Sequence, residues 1–283
     1  MVGGAVKWMK TLTGRLINAW NWLVPAHARA LRWAWAGMVA VWVVTMLLTP
    51  ILIFGIGDHL FPAISTVTVL LQLAASLLAL RMGYGLRQVG MMVVVSAVLT
   101  YSVELLGSKT GFPFGPYHYT DALKPHLFGV PILIPLAWLM MLPASWGVAS
   151  LIAGEKPSKW VYAGLSGLVF TAWDLYLDPQ MVLKGLWVWH EPSGYFGIPW
   201  SNYLGWWATA SLLTLILLEL RLLPINAPDH SYARRPLLVI YSITWVFQVV
   251  ALGVFWEQPG PALAGFAGMG VFALWAWRKA LMK

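Results

Sequence analysis

Cysteine is absent from the 283 residues. That excludes disulfides, thiolate metal sites and thiol nucleophiles, and it leaves the redox compartment open. Histidine is sparse as well: the six, at 27, 59, 118, 126, 190 and 230, include no pair at i, i+3 or i, i+4. Membrane di-iron oxygenases need several histidines at short spacing, so that class is excluded. Acids are the third scarcity, with ten Asp and Glu against 18 Lys and Arg. What fills the chain is apolar: 60% hydrophobic and only 10% charged residues, with a mean hydropathy of +0.73. Such a composition belongs to a polytopic membrane protein. The net charge of +8 does not point to nucleic acid, because the cations sit between apolar runs instead of clustering along one face.

Apolar runs of spanning length occur at about 34 to 56, 61 to 80, 89 to 107, 130 to 153, 160 to 178, 203 to 220, 237 to 256 and 261 to 277. The expected fold is an all-α polytopic membrane helical bundle of about eight transmembrane helices, one domain over 34–283. Ahead of it, residues 1–33 place Trp8, Leu12, Leu16, Ala19, Trp20 and Leu23 opposite Lys7, Lys10, Arg15, Asn18 and Asn21. That pattern predicts an in-plane amphipathic helix on the cytoplasmic face, with its apolar residues too late for a cleaved signal peptide. With both termini cytoplasmic, 15 of the 18 Lys and Arg fall inside, and only Lys109, Lys124 and Lys184 fall outside. No Lys lies within a run, which excludes a retinal Schiff base. Nineteen Trp supply, in part, the interfacial belt.

In so acid-poor a chain, Trp173-Asp174-Leu175-Tyr176-Leu177-Asp178-Pro179 stands out. The i, i+4 spacing puts both carboxyls on one helix face. Pro179 is expected to end the helix, leaving the pair at a C-terminus where the macrodipole disfavours negative charge, a setting that suits a proton donor. Glu104 falls at the same outer side in this topology, so one shared site is expected. The outer loops, 107–131 and 184–203, are rich in Gly, Pro and aromatics, and backbone of that kind beside a membrane folds back to line a cavity. An internal repeat relates them. Gly129-Val130-Pro131 precedes Leu136 and Trp138 as Gly197-Ile198-Pro199 precedes Leu204 and Trp206, with Glu104 and Asp174 lying 25 and 23 residues upstream. A parallel repeat makes those two acids equivalent.

Glu104 with Gly111-Phe112-Pro113-Phe114-Gly115-Pro116-Tyr117-His118-Tyr119, Gly129-Val130-Pro131 to Trp138, Ala172-Trp173-Asp174-Leu175 with Asp178-Pro179-Gln180-Met181, and Gly197-Ile198-Pro199 with Asn202 and Gly205-Trp206 carry a resemblance. Over residues 100 to 207 the chain resembles the integral-membrane carotenoid biosynthesis family, which includes CruF-type carotenoid 1',2'-hydratases and bisanhydrobacterioruberin hydratases. Haloarchaeal members are acidic, so this basic chain looks bacterial, with the cytoplasmic membrane as its expected location. The resemblance implies cofactor-free addition of water across the C1'=C2' bond of an acyclic end group of the lycopene or γ-carotene type. Its implied partners are the carotenoid, the bilayer and other enzymes of the carotenoid pathway.

Protonation at C2' leaves a tertiary cation at C1' that the polyene cannot conjugate with, so the protein must stabilise it. Aromatic faces do this in a dry pocket, and Tyr117, Tyr119, Trp173, Trp187, Trp189 and Trp200 are the expected rings. Asp174 is the preferred donor, Glu104 or Asp178 positions or deprotonates the water, and His118 and Asn202 hold that water or shape the pocket. Two other readings remain. Asp174 and Asp178 match the DxxxD spacing of magnesium-dependent membrane prenyltransferases, although no second acid-rich motif accompanies them, and a non-catalytic carotenoid-binding protein would use the same aromatic cavity without the acids.

Overall fold

The computed structural model describes residues 20, 29–223 and 231–282. Eight long helices follow one another among them: α1 (Arg29–Ile56), α2 (Phe61–Arg81), α3 (Leu86–Thr110), α4 (Leu133–Ala153), α5 (Lys159–Leu183), α6 (Trp200–Glu219), α7 (Ser231–Val250) and α8 (Pro259–Leu281). The chain is an all-α polytopic bundle, each helix falling on one of the expected apolar runs. Six of the helices, α1 to α4, α7 and α8, are long and apolar enough to cross a membrane. The two that fall short, α5 and α6, carry the acid pair and Asn202. The amphipathic helix expected over 1–33 lies outside the described residues apart from Trp20 and 29–33, and those last five already belong to α1.

At the centre stands α4, buried continuously from Trp138 to Ile152 and packed by α2, α3, α5, α7 and α8. A helix apolar on every side suits either a protein core or lipid, and here α4 takes the core while the more apolar α1 faces outward. Exposed Leu, Val, Ile and Phe cover the outside of α1, α2 and α3, as a lipid-facing surface requires.

The long connections after α3 and α5 meet over one end of the bundle. α3 stops where Gly111 adopts φ 78 and returns its N–H to Gly107 O at 2.7 Å, a left-handed cap that turns the chain back over the helices. The loop then forms β1 (Tyr117–Tyr119), followed by the short pair β2 (His126–Leu127) and β3 (Val130–Pro131); the second connection forms β4 (Trp187–Trp189). Antiparallel pairing of β1 with β4 sets Tyr117 opposite Trp189, His118 opposite Val188 and Tyr119 opposite Trp187.

This pairing gives the internal repeat a three-dimensional form. α3–β1–α4 and α5–β4–α6 correspond with an offset of 70 residues at Glu104/Asp174 and 68 at Trp138/Trp206. Phe128 and Phe196 both take φ 49, and the glycines that follow them take φ 93 and 86. Strands at equivalent positions in the repeat thus pair with each other, with His118 opposite Val188 at the centre.

One helix end differs from expectation. Pro179 does not terminate α5, which continues to Leu183. The missing N–H leaves Leu175 O without its intrahelical bond, and the Tyr195 hydroxyl donates to that carbonyl at 3.0 Å. Gln258 Nε2 donates to Pro179 O at 3.0 Å. With the freed Leu175 carbonyl satisfied from outside, the helix carries the proline, and the acid pair sits within it instead of at its last residue.

Candidate active site

Beneath the β1–β4 ribbon lies a cavity of about 520 Å³, within the range of small-molecule sites. The loops fold back into it as the composition predicts: Phe114, Tyr117, Tyr119, Leu186, Trp187 and Trp189 all line it. Period-two alternation along the strands aims Tyr117, Trp187 and Trp189 inward and leaves His118 and Val188 exposed.

Glu104, Asp174, Asp178 and Asn202 are each no more than 3% exposed. Glu104 Oε2 accepts from the hydroxyls of Tyr117 and Tyr119, both at 2.7 Å, and its Oε1 accepts from Trp138 Nε1 at 2.9 Å. Three donors on two oxygens are the complement of a carboxylate, which accepts only. Burial first, and the Glu104 charge second, hold both tyrosine phenols well above their ordinary range, so they stay O–H donors.

The second group forms around Asn202, near the start of α6. Its Nδ2 donates to Asp174 Oδ2 at 2.8 Å and to Asp178 Oδ2. Trp187 Nε1 donates to Asp178 Oδ1 at 2.6 Å. Asp174 Oδ1 is buried and receives no N–H or O–H donor among the described residues. Asn202 thus bridges the two carboxyls through one amide nitrogen, and two acids held that close away from water favour sharing one proton over both ionising. Glu104, Asp178 and Asn202 line the cavity, while Asp174 stands behind Asn202 and Asp178.

Around these polar groups the rings close in. Trp138 stacks on Trp206 at 4.7 Å, Phe170 on Trp206 at 5.2 Å, and Trp173 meets Trp206 edge-on at 6.0 Å. Tyr117 lies 5.1 Å from Trp189. The structure therefore brings together Glu104, Asp174, Asp178, Tyr117, Tyr119, Trp173, Trp187, Trp189 and Asn202. It leaves out two expected residues. His118 is exposed and its Nδ1 lies 2.8 Å from His190 Nε2 on the surface of the ribbon. Trp200 is 62% exposed and packs with Tyr195 and Tyr203 instead.

Sequence reasoning missed three contributors. Trp138 and Trp206 entered as marks of the repeat and of the family resemblance, not as site residues, although the repeat itself was the signal that they share a site. Gln180 is 6% exposed, lines the cavity and has no donor to its Oε1 among the described residues; its spacing of two from Asp178 gave no reason to place it there.

A lipid-facing helical bundle with buried acids under an aromatic vault is the architecture of an integral membrane protein with an enclosed polar site. The chain belongs to the carotenoid biosynthesis protein family, whose model matches residues 64–273. It is 32% identical over 132 residues to bisanhydrobacterioruberin hydratase of Haloarcula japonica, a match covering 46% of this chain and 45% of that protein. The aligned segment thus spans less than half of the curated relative. No solved structure matches.

Proposed function

We propose that the protein is a carotenoid hydratase that adds water across the C1'=C2' double bond of an acyclic end group, without a cofactor. The observation that carries the reading is the buried Asp174–Asp178 pair, bridged by Asn202 and held beside a ring-lined cavity; two carboxyls so close and so dry share a proton. Family membership and the hydratase relative support the class of reaction.

The pair delivers its proton to C2' from the Asp178 side, because Asp178 borders the cavity and Asp174 stands behind it. The electron pair of the alkene forms the new C–H bond and leaves a tertiary cation at C1'. Glu104, fixed by Tyr117, Tyr119 and Trp138, supplies the opposing charge. The faces of Trp173, Trp187 and Trp189 contribute on the order of 2 kcal/mol for each ring well placed over the cation. Water then bonds to C1', and the carboxylate left on the pair takes the proton that water releases. The pair returns to its starting state, so the reaction consumes one alkene and one water and makes one tertiary alcohol. Gln180 Oε1, a buried acceptor on the same cavity lining, holds the incoming water in this scheme.

The donors already on the acids speak against magnesium-dependent prenyl transfer. Both Asp178 oxygens face N–H groups, which oppose a cation at the same place. A pure binding protein would have no use for three buried carboxyls, each costly to desolvate. The charge distribution supports cytoplasmic termini and a site opening toward the outer half of a bacterial cytoplasmic membrane.

The deciding experiment incubates purified protein with lycopene anaerobically, without reductant, in ¹⁸O-labelled water. A product heavier by one labelled water is expected. If the pigment returns unchanged, hydration of this end group is refuted.

A further inference from the structure

The cavity does not end at the acids. It extends between α1 and α7, where Met46, Leu47 and Pro50 face Val246, Phe247 and Val250 across it. Three of these lining residues are open to the surroundings as well, Leu47 at 57%, Val246 at 46% and Val250 at 44%, so the chamber reaches the lipid-facing side of the bundle. These six are apolar, and Thr49, Thr244 and Gln248 are the polar residues that the same two helices add to the lining. Phe54 closes the seam toward the ribbon end, its ring 6.1 Å from Phe255 and 6.0 Å from Trp256. Above that, Lys184 bonds Asp58 at 2.8 Å and lies 4.5 Å over the Trp256 ring, roofing the chamber on the water side. The wall on the α7 side departs from α-helix: Ala251–Phe255 is a π turn, and Ala251 and Phe255 both line the cavity. Such turns are frequent where a helix has been reshaped around a function.

We propose that the seam between α1 and α7 is a binding channel for the polyene of an isoprenoid hydrocarbon, which enters sideways from the bilayer and seats one end group against the acids. The assignment rests on the carotenoid reading above and deepens it. A carotenoid is about as long as the hydrocarbon core is thick, roughly 30 Å, and a chamber of about 520 Å³ encloses only its end. The rest of the chain needs an apolar exit, and the seam supplies one that opens to lipid. One end group reacts per binding event, so a symmetrical substrate leaves as the singly hydrated alcohol and must rebind by its other end.

The chain has no cysteine of its own, which makes the test clean. Leu47→Cys and Val246→Cys are purified folded and then modified with a bulky methanethiosulfonate reagent that reductant removes. Lycopene uptake from phosphatidylcholine vesicles is followed by the quenching of tryptophan fluorescence, a readout that needs no turnover. Modification is expected to slow uptake at least tenfold and reductant to restore it. The same label on Leu168→Cys, an exposed α5 position outside the cavity, is expected to change nothing. Uptake that proceeds unslowed with Leu47 and Val246 both labelled overturns the channel while leaving hydration standing. Absence of uptake by the unlabelled protein overturns the carotenoid reading itself.

Discussion

Trp138 and Trp206 stack with ring centroids 4.7 Å apart and 25° between their planes, and they occupy equivalent positions in the two halves of the repeat. Only Trp138 has a second task, donating its indole N–H to Glu104 Oε1. Trp138→Phe keeps an aromatic ring in the stack and removes that donor. Losing a hydrogen bond to a charged group costs about 1.5–3 kcal/mol, so turnover is expected to fall roughly ten- to a hundredfold. Lycopene binding, read by fluorescence quenching, should move much less, because the ring remains.

Asp178 and Asp174 differ in their view of the cavity, and the difference is measurable. Asp178→Asn removes the carboxyl that borders the substrate, and hydration is expected to drop by about 10²–10⁴, the usual contribution of a general acid. Asp174→Asn keeps the bordering acid but takes away the partner that shares its proton, so it also lowers turnover, by less than Asp178→Asn. Pigment binding should survive both changes. Mass analysis of pigments extracted from a lycopene-making host carrying each variant gives the order; equal rates for wild type and Asp178→Asn would remove the acid from the mechanism.

How far this site could be read from sequence depends on which residues carried a pattern. Helical periodicity and spanning length located all eight helices, since burial in lipid leaves long apolar runs. Acid scarcity singled out Glu104, Asp174 and Asp178, because an isolated carboxyl in a membrane is costly enough to need a reason. The β1–β4 ribbon left no such trace: three-residue strands 70 residues apart are too short for periodicity to register. Had it been foreseen, the alternation in Tyr117-His118-Tyr119 would have turned His118 outward and excluded it. Pro179 misled for another reason. Its break at Leu175 O is repaired by Tyr195, which arrives from the following loop. Trp200 and Trp206 lie on one helix, and composition alone does not tell the exposed ring from the enclosed one.

The first loop is seated on α6 through a close approach at Gly205. A Cβ there would stand 2.7 Å from the Phe114 ring and 2.9 Å from Pro113 O, and the backbone oxygen cannot turn aside. Ser201 Oγ donates to Phe114 O at 2.9 Å in the same contact. Gly205→Ala is therefore expected to push Phe114 and the neighbouring Tyr117 away from the site. Overpacking of this kind costs about 1–3 kcal/mol. Thermal unfolding in detergent should show a lower midpoint, together with reduced turnover. Gly164→Ala, where a Cβ would meet nothing within 4 Å, serves as the comparison and should leave both close to wild type.

Tyr117 and Tyr119 bear on how the protein answers alkali. Burial raises both phenols above the ordinary value of 10.0, and the Glu104 charge adds to it. In the unfolded chain the same phenols ionise near pH 10. Between that point and their folded values the unfolded state holds fewer protons than the folded one, so stability falls as pH rises; below pH 10 the two states hold equal numbers and these groups impose no slope. The rate profile should accordingly show no alkaline limb from either phenol up to about pH 10, since both remain donors to Glu104. Tyr119→Phe removes one ionising group from the unfolded state and one donor from Glu104. Its unfolding midpoint is expected to lie below wild type at neutral pH and to decline less steeply above pH 10, measured by fluorescence across a pH series. A steeper alkaline decline in Tyr119→Phe than in wild type would mean that this phenol ionises in the folded protein, and the hydrogen-bonding scheme drawn around Glu104 would be wrong.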